Sequence, residues 1–193
     1  MKNITQENQN LAQFVGKVFG DDWSIAEHLD ENQQLVVYVL SGKDAELPDV
    51  VSHATIGLSD KALGKDKSDI PLGAELVACG SKDVDYLDGA LANVANAVLT
   101  HNMLCKPGTI FANALGVYDK TCALKHFLFT VPSMWNDTLY PLQFKSKTVL
   151  WLQAIPITDA EKEYAEKHGA SALGEKLEEV KVDLTDFGRV SAV

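Results

Sequence analysis

The chain has 193 residues and a formal net charge of −10, with 17 Lys and Arg against 27 Asp and Glu. Its 46% apolar and 23% charged residues are typical of one soluble globular domain, and its Gly (13), Pro (6) and Cys (3) are too few for a collagen-like, low-complexity or disulfide-scaffold chain. The acidic excess argues against nucleic acid or an anionic membrane as the main partner, because both attract clustered Lys and Arg, and it permits a basic protein partner.

The first part of the chain predicts one helix followed by strands. The apolar positions of the helix share one face: Leu11, Phe14, Val15 and Val18. Gly20 can end this helix. The strand-like segments that follow cover 23–29, 35–40, 50–58 and 74–79. The charged segment 59–73, which is marked by Gly and Pro, predicts a surface loop.

The middle of the chain predicts a second helix with a clear apolar stripe. Asp88 can cap its N-terminus, and Lys-Pro-Gly at 106–108 can end it. The stripe consists of Leu91, Val94, Ala95, Val98 and Leu99. Strands follow at 123–131 and 147–157, and the Val, Leu and Trp content of the second predicts a central strand.

The last third predicts two helices and a final strand. Thr158 and Glu161 have the spacing of a capping box, so a helix is expected to begin there. A Gly after this helix separates it from the next helical segment. The predicted elements are a helix to about residue 167, a helix over 171–179 and a short strand over 180–187.

Strands in blocks, with helices before, between and after them, are typical of an α+β fold. We therefore predict one domain over residues 1–193, with a mixed and largely antiparallel sheet flanked by helices. The N-terminus lacks the apolar core of a signal peptide, and no apolar run reaches the roughly 18 residues of a membrane span. The three cysteines form no CxxC pair, which is typical of reduced thiols, and the predicted location is the cytoplasm.

Two His/Cys pairs are candidate metal ligands. His101 with Cys105 and Cys122 with His126 are each spaced i,i+4, and two Cys with two His can form a structural zinc set. The tight CxxC spacing is absent, however, and free Cys residues are commonly buried. We therefore predict no metal site and no cofactor.

The sequence contains no G-x-S-x-G, H-E-x-x-H, Walker or G-x-G-x-x-G motif. His53 lies in an alternating apolar strand, which favours a buried sheet residue over a catalyst. We predict no catalytic residues and no enzymatic activity. The alternative is a hydrolase that depends on a metal or on a cysteine nucleophile such as Cys105.

An aromatic loop over 132–144 is the candidate partner-binding segment. It contains Trp135, Asp137 and Tyr140, and Trp and Tyr are enriched at the energetic centres of protein interfaces. The alternative is that its rings fold back as a lid on the core. Only the interface hypothesis predicts that the rings are exposed in the free protein.

Several landmarks occur in one order along the chain. VSHATIGLSD (51–60) precedes LGAELVACG (72–80). Next come the helix GALANVANAVL, the strand ALKHFLFTVP, a segment that begins KTVLWLQAIPIT, and a late Asp-x-x-Arg at 186–189. From about residue 36 to the C-terminus this order resembles the suppressor of fused domain family, in its bacterial single-domain form.

This resemblance implies an α+β protein-binding module. Eukaryotic members of the family sequester a transcription factor by holding an extended peptide beside a sheet between two domains, and this chain has the size of the first domain only. Their Gly-Asp after the second helix is Gly108-Thr109 here, which removes a carboxylate and makes Thr109 a candidate contact. Bacterial members of similar length are largely immunity or antitoxin proteins, and their toxins are often nucleases.

The predicted function is therefore that of a non-catalytic immunity protein, which binds and neutralises a basic toxin such as a nuclease. The predicted partner-binding residues are Thr109, Trp135, Asp137 and Tyr140. The alternative is a regulatory or scaffold module that sequesters an endogenous cytoplasmic protein.

Overall fold

The structure, a computed structural model, describes residues 4–20, 22–30, 32–43, 47, 49–103, 105–135 and 138–193. Within these residues, helices pack on both faces of one nine-stranded sheet. The helices are α1 (Gln6–Phe19), α2 (Leu87–His101), α3 (Asp159–His168) and α4 (Ala170–Glu179). The strands are β1 (Trp23–Leu29), β2 (Val36–Lys43), β3 (Val50–Ile56), β4 (Gly64–Lys65), β5 (Pro71–Ser81), β6 (Ile110–Phe111), β7 (Leu124–Thr130), β8 (Leu142–Gln143) and β9 (Thr148–Thr158).

The sheet runs in the order β1-β2-β3-β5-β9-β7-β6, with β4 paired to β5 and β8 paired to β9. Neighbouring strands are antiparallel except for the central β5–β9 pair, which is parallel. The predicted α+β class with a mixed, largely antiparallel sheet is confirmed. β9 lies between β5 and β7, as its apolar composition predicted.

Alternation along the strands divides the core between the two faces of the sheet. In β9, Leu152 and Ala154 pack in the cluster that contains α2, whereas Val149 and Trp151 pack in the cluster that contains α1. Beyond them, Ile157 packs in a third cluster with α3 and α4. One face of the sheet therefore carries α2, and the other carries α1 and the α3–α4 pair.

The helix boundaries follow from local chemistry, with two corrections. The capping box at α3 is present as predicted, with the Glu161 N–H donating to Thr158 Oγ1 at 3.1 Å. The prediction that Asp88 caps α2 is wrong, because Tyr86 is the N-cap and Asp88 lies in the first turn. The predicted end at 106–108 is also wrong. The helix ends at His101, because the next residue, Asn102, adopts a left-handed conformation (φ 53°).

Two segments differ from the predicted elements. Segment 59–73 is not only a loop, since it contains β4, which pairs with the first residues of β5. Segment 180–187 forms no strand. The Asp183 carboxylate accepts the N–H and the hydroxyl of Thr185 at 2.8 and 2.7 Å, and this local turn replaces the extended backbone that alternation predicted.

No helix in the described parts of the chain is both long and apolar enough to cross a lipid bilayer.

Candidate protein-binding site

The first two sequence landmarks, at 51–60 and 72–80, meet at the buried carboxylate of Glu75. Glu75 accepts the Thr55 hydroxyl at 2.6 Å and the backbone N–H groups of Gly57, Leu58 and Ser59 at 2.9, 3.2 and 3.0 Å. Burial raises the pKa of Glu75, and the hydrogen bonds from Thr55, Ser59 and Gly57 act in the opposite direction. The His-x-Thr-x-Gly-Leu-Ser segment is thus a turn that wraps around one carboxylate.

Gly73 in the second landmark lets the strand approach this turn. A Cβ atom at Gly73 would lie 2.1 Å from the Ser59 carbonyl oxygen, a distance that no side chain can tolerate. Gly57 has a φ of 97°, a left-handed conformation that favours glycine. The spacing Gly-x-Glu therefore places a close backbone contact and the Glu75 acceptor two residues apart on one strand.

The end of the same turn connects the helices to the sheet. The buried Lys147 ammonium, at the start of β9, donates to Asn8 Oδ1 at 3.0 Å and to Ser59 Oγ at 2.9 Å, and it contacts the Asp60 carboxylate. Asn8 in α1 donates to Asp60 Oδ2 at 2.8 Å. Lys61 donates to carbonyl groups in the last turn of α2. The residues that make these contacts form what we call the motif network: Asn8, Thr55, Gly57, Leu58, Ser59, Asp60, Lys61, Glu75 and Lys147.

The late Asp-x-x-Arg has a similar structural role. The Arg189 guanidinium donates to both oxygens of Glu161 at 2.6 and 2.8 Å and to the Pro156 carbonyl at 2.9 Å. Burial alone raises the pKa of Glu161, but Arg189 and two backbone N–H donors outweigh it and lower that pKa. The pair fixes the C-terminal tail to the beginning of α3.

Two of the four candidate metal ligands, Cys105 and His126, are buried, whereas His101 is exposed and Cys122 is half-buried. Cys79 and Cys105 are buried, and burial raises the pKa of each thiol to about 12, so both stay protonated and weakly nucleophilic at neutral pH. His126 is buried, accepting the Asn113 N–H at Nδ1 and facing Asp159 at 2.9 Å through Nε2. The described residues include no group of three or more His, Cys, Asp or Glu side chains that could hold a metal ion.

His53 lies in the sheet as predicted. It is buried, and its Nδ1 shares a hydrogen bond of 2.8 Å with the Ser41 hydroxyl of the neighbouring strand. Burial lowers the pKa of His53 to about 4. The side chain is therefore neutral near pH 7.

The aromatic loop divides between core and surface. Trp135 is only 7% exposed, its ring centre lies 5.6 Å from that of Phe19, and its Nε1 donates to Ser52 Oγ at 3.3 Å. This is the position that the lid alternative predicts. Tyr140 is 57% exposed and packs edge-to-face on Phe14, with ring centres 5.0 Å apart.

Thr109 lies beside β7, away from the ring contacts of the loop. Its carbonyl accepts the Phe129 N–H at 2.9 Å, and the Gly108 N–H donates to the Phe129 carbonyl at 2.7 Å. The Thr109 hydroxyl is buried and has no hydrogen-bond partner among the described residues. Asp137 is outside the described residues. Trp135 and Tyr140 line one groove, whereas Thr109 bonds the backbone of β7.

Sequence reasoning missed an exposed apolar row on β1. Trp23, Ile25 and Leu29 are 38%, 39% and 55% exposed. Their alternate spacing was visible in the sequence, but it predicted only a strand and not its place at the edge of the sheet. A groove of about 230 Å³ opens between this strand and α1.

Comparisons with known proteins agree with this architecture. The chain is 34% identical to the immunity protein YqcF of Bacillus subtilis (strain 168) over 190 residues, which cover 98% of this chain and 99% of that protein. A suppressor of fused homologue from Neisseria gonorrhoeae FA 1090 superposes with a TM-score of 0.75 at 18% identity, over 96% of both chains.

Two further solved structures share the fold. A chain of the Sufu-Fu complex has a TM-score of 0.67 at 12% identity, over 95% of this chain and 91% of that one. Drosophila Suppressor of Fused has a TM-score of 0.56 at 14% identity, and the matched region covers 94% of this chain and 50% of that one. The model of the suppressor of fused protein family matches residues 31–190, most of the sequence. The chain therefore belongs to the suppressor of fused family.

Proposed function

We propose that this chain is an immunity protein, which binds a cognate toxin directly and neutralises it without catalysis. The proposal rests on the full-length likeness to the immunity protein YqcF. The interior of the fold supports a binding role, because the residues that define the family landmarks hold the fold together. Glu75 accepts four internal hydrogen bonds, and both oxygens of Glu161 are occupied by Arg189 and backbone donors.

The chemistry of the surface favours a basic toxin. The net charge is −10, and many basic side chains already face carboxylates, as in the pairs Lys82–Asp49 and Lys162–Glu166. The remaining carboxylates set the sign of the outer field, and such a field speeds encounter with a positively charged partner. A nuclease is one such partner, since it must attract a phosphate backbone.

Tyr140 is the predicted contact residue whose surroundings best suit this role. Its ring is exposed at the rim of a shallow surface groove of about 760 Å³, which Phe14 and Lys17 of α1 also line. A partly exposed Tyr ring can bury a large area on association at a small cost in conformational entropy. Thr109, Trp135 and Asp137 stay predicted contacts.

The test is co-expression of this chain in bacterial cells with the toxin domain of the protein encoded beside its gene. We expect the chain to restore growth and to form a stoichiometric complex with the purified toxin domain. The association rate constant is expected to fall at least about tenfold from low to high salt, because steering is screened.

Failure of the wild-type chain to restore growth or to bind the toxin domain would overturn the immunity function. Growth rescue with an association rate that is insensitive to salt would overturn only the electrostatic part. Stable capture of an endogenous cytoplasmic regulator, without any effect on the toxin, would instead favour the regulatory or scaffold alternative.

A further inference from the structure

β1 is a long edge strand whose outer side is unpaired. It pairs with β2 over seven consecutive residues without a register shift, and no described segment pairs with its other side. At the opposite end of the sheet, β7 is covered by β6. Within the described residues, one full-length edge of the sheet is thus open.

The direction of the free backbone groups follows from the hydrogen bonds that flank β1. The Lys43 N–H donates to the Asp22 carbonyl at 3.2 Å, and the Asp30 N–H donates to the Leu35 carbonyl at 3.0 Å. Hydrogen-bonded and non-hydrogen-bonded pairs alternate in an antiparallel ladder, so even-numbered residues of β1 face β2. The residues that direct their N–H and C=O groups outward are Trp23, Ile25, Glu27 and Leu29.

The same residues carry the large exposed side chains of the strand. Trp23 lies against Gly16 of α1, and Trp23 and Ile25 line the groove of about 230 Å³ between α1 and β1. Ala12, Tyr38 and Ile56 contribute to its apolar wall. An extended segment that paired with β1 could therefore place alternate apolar side chains in this groove while its backbone bonded the edge.

β1 has only one of the features that usually protect an edge strand, the charged side chain of Glu27. Its sequence, WSIAEHL, contains no Pro and no Lys, and its register contains no bulge. A seven-residue edge with exposed Trp, Ile and Leu side chains is a template for pairing with another chain. An open edge of this kind promotes unwanted pairing with other chains unless a partner occupies it.

The charged groups around β1 favour some binding partners for this edge over others. Carboxylates flank and divide the strand at Asp22, Glu27 and Asp30, and Lys43 faces only the first of them, at 4.0 Å. In an antiparallel pair of two β1 strands, Asp22 of one copy would approach Asp30 of the other, and both copies carry a net charge of −10. Self-pairing is therefore opposed by like charges, whereas a basic segment is attracted.

We propose that β1 binds an extended segment of the toxin by strand addition, and that this segment alternates apolar and basic residues. The backbone of the segment bonds the outward groups of Trp23, Ile25, Glu27 and Leu29. Its apolar side chains occupy the groove beside α1, and its Lys or Arg side chains, which alternate to the opposite face of the sheet, face Asp22 and Asp30. This inference rests on the proposed immunity function and specifies the surface that performs it.

Amide hydrogen exchange of the wild-type chain tests the inference one residue at a time. In the free protein, the N–H groups of residues 24, 26 and 28 are expected to exchange slowly, and those of 23, 25, 27 and 29 rapidly. Binding of the purified toxin domain is expected to slow the odd-numbered set at least tenfold. Ordinary burial of a side-chain face would not produce this alternation.

A matched pair of variants tests the same edge by affinity. Ile25→Lys with Leu29→Lys places two cations on β1, whereas Val117→Lys with Val180→Lys adds the same charge at exposed positions elsewhere. The first variant is expected to weaken binding of the toxin domain at least tenfold, and the second less than threefold. Circular dichroism and thermal unfolding check that both variants fold.

The outcomes separate the two proposals. If the wild-type chain neither binds nor neutralises the toxin domain, the immunity function fails, and this inference fails with it. If it neutralises the toxin while the odd-numbered amides stay unprotected, only strand addition at β1 is overturned. If those amides are already protected in a free protein of dimeric mass, a second copy occupies the edge, and the inference is wrong.

Discussion

The motif network and the β1 edge belong to the same sheet but differ in how their backbone polar groups are hydrogen-bonded. In the motif network, three backbone N–H groups and one hydroxyl converge on Glu75, which is fully buried. Along β1, every second residue directs its N–H and C=O groups away from the sheet, beside exposed Ile25 and Leu29. The backbone groups of the first region are satisfied within the chain, whereas the outward groups of β1 have no partner among the described residues and can bond solvent or another molecule.

This difference separates the residues that identify the family from those proposed to bind a partner. The network demands particular side chains, because only a carboxylate accepts four donors and only glycine fits at Gly73. An edge strand demands only alternation and an open side, which many sequences provide. A recognisable motif therefore marks where this fold is held together.

The largest effect is expected on removal of the acceptor at the centre. Glu75→Ala leaves the Thr55 hydroxyl and the N–H groups of Gly57, Leu58 and Ser59 without their acceptor. The free energy of unfolding is expected to fall by about 4 kcal/mol or more, since each buried unsatisfied donor costs about 1–3 kcal/mol. Urea denaturation measures this loss.

Glu75→Gln is the control, because it keeps one carbonyl acceptor but turns an NH₂ group toward donors. We expect a smaller loss than for Glu75→Ala. If Glu75→Ala does not fold, Thr55→Val removes one of the four donors and should cost about 1–3 kcal/mol. A loss below about 1 kcal/mol in every one of these variants would contradict the importance of the network.

Breaking the ion pair of the tail should have the next largest effect. Arg189→Ala leaves the buried Glu161 carboxylate without its cation, and such a change costs about 3 kcal/mol. Glu161→Gln with Arg189→Met removes both charges and should recover part of the loss. Thermal unfolding of the single and double variants measures the coupling, and strictly additive losses would argue against it.

The sequence predicted most elements of the fold, because their signals are local. The face of α1, the boundaries of β1 and the capping box at α3 all follow from spacing or from one flanking residue. The failures concern competition between local and distant groups. Segment 180–187 alternates like a strand, but the Asp183 turn and the contact of Thr185 with β5 determine its path instead.

The candidate site was less predictable, because burial depends on contacts between distant segments. Trp135 and Tyr140 are five positions apart in one loop, yet the first lies in the core beside Phe19 and the second is exposed. Likewise, the pattern of β1 is equally consistent with an inner or an outer strand. Only the strand order shows that its outward backbone groups are unpaired within the described chain.

A pH titration isolates the buried histidine of the sheet. The pKa of His53 is lowered from 6.5 to about 4. Between these pH values, His53 is protonated in the unfolded chain and neutral in the folded chain. His53 thus contributes stability that is complete above about pH 6.5 and is lost as the pH falls toward 4. From about pH 7.5 to about pH 5, we expect a loss of about 2 kcal/mol.

His53→Gln provides the comparison for this titration, because glutamine can still bond Ser41 but has no proton to gain in this range. Its unfolding free energy should fall less over the same pH interval, even if it is lower throughout. Parallel pH profiles for the wild type and the variant would show that other groups cause the acid sensitivity.

Tyr140→Ala should affect the fold only slightly. The ring is more than half exposed, and its edge-to-face contact with Phe14 is worth about 1 kcal/mol. Toxin binding is expected to weaken by more than this stability change, because the exposed ring is proposed as a contact. Calorimetric titration with the toxin domain measures the affinity, and unchanged affinity would remove Tyr140 from the proposed surface.

The smallest change in stability is expected at the edge itself. Leu29→Ala deletes the same atoms as Leu76→Ala, but Leu29 is 55% exposed, whereas Leu76 is fully buried next to Glu75. We expect losses of about 0.5 kcal/mol at Leu29 and about 3 kcal/mol at Leu76, because only the second deletion leaves a cavity. Equal losses would mean that β1 is covered in solution and that the contrast between the two regions is wrong. Unequal losses, with weaker toxin binding for Leu29→Ala, would show an edge that contributes to recognition more than to folding.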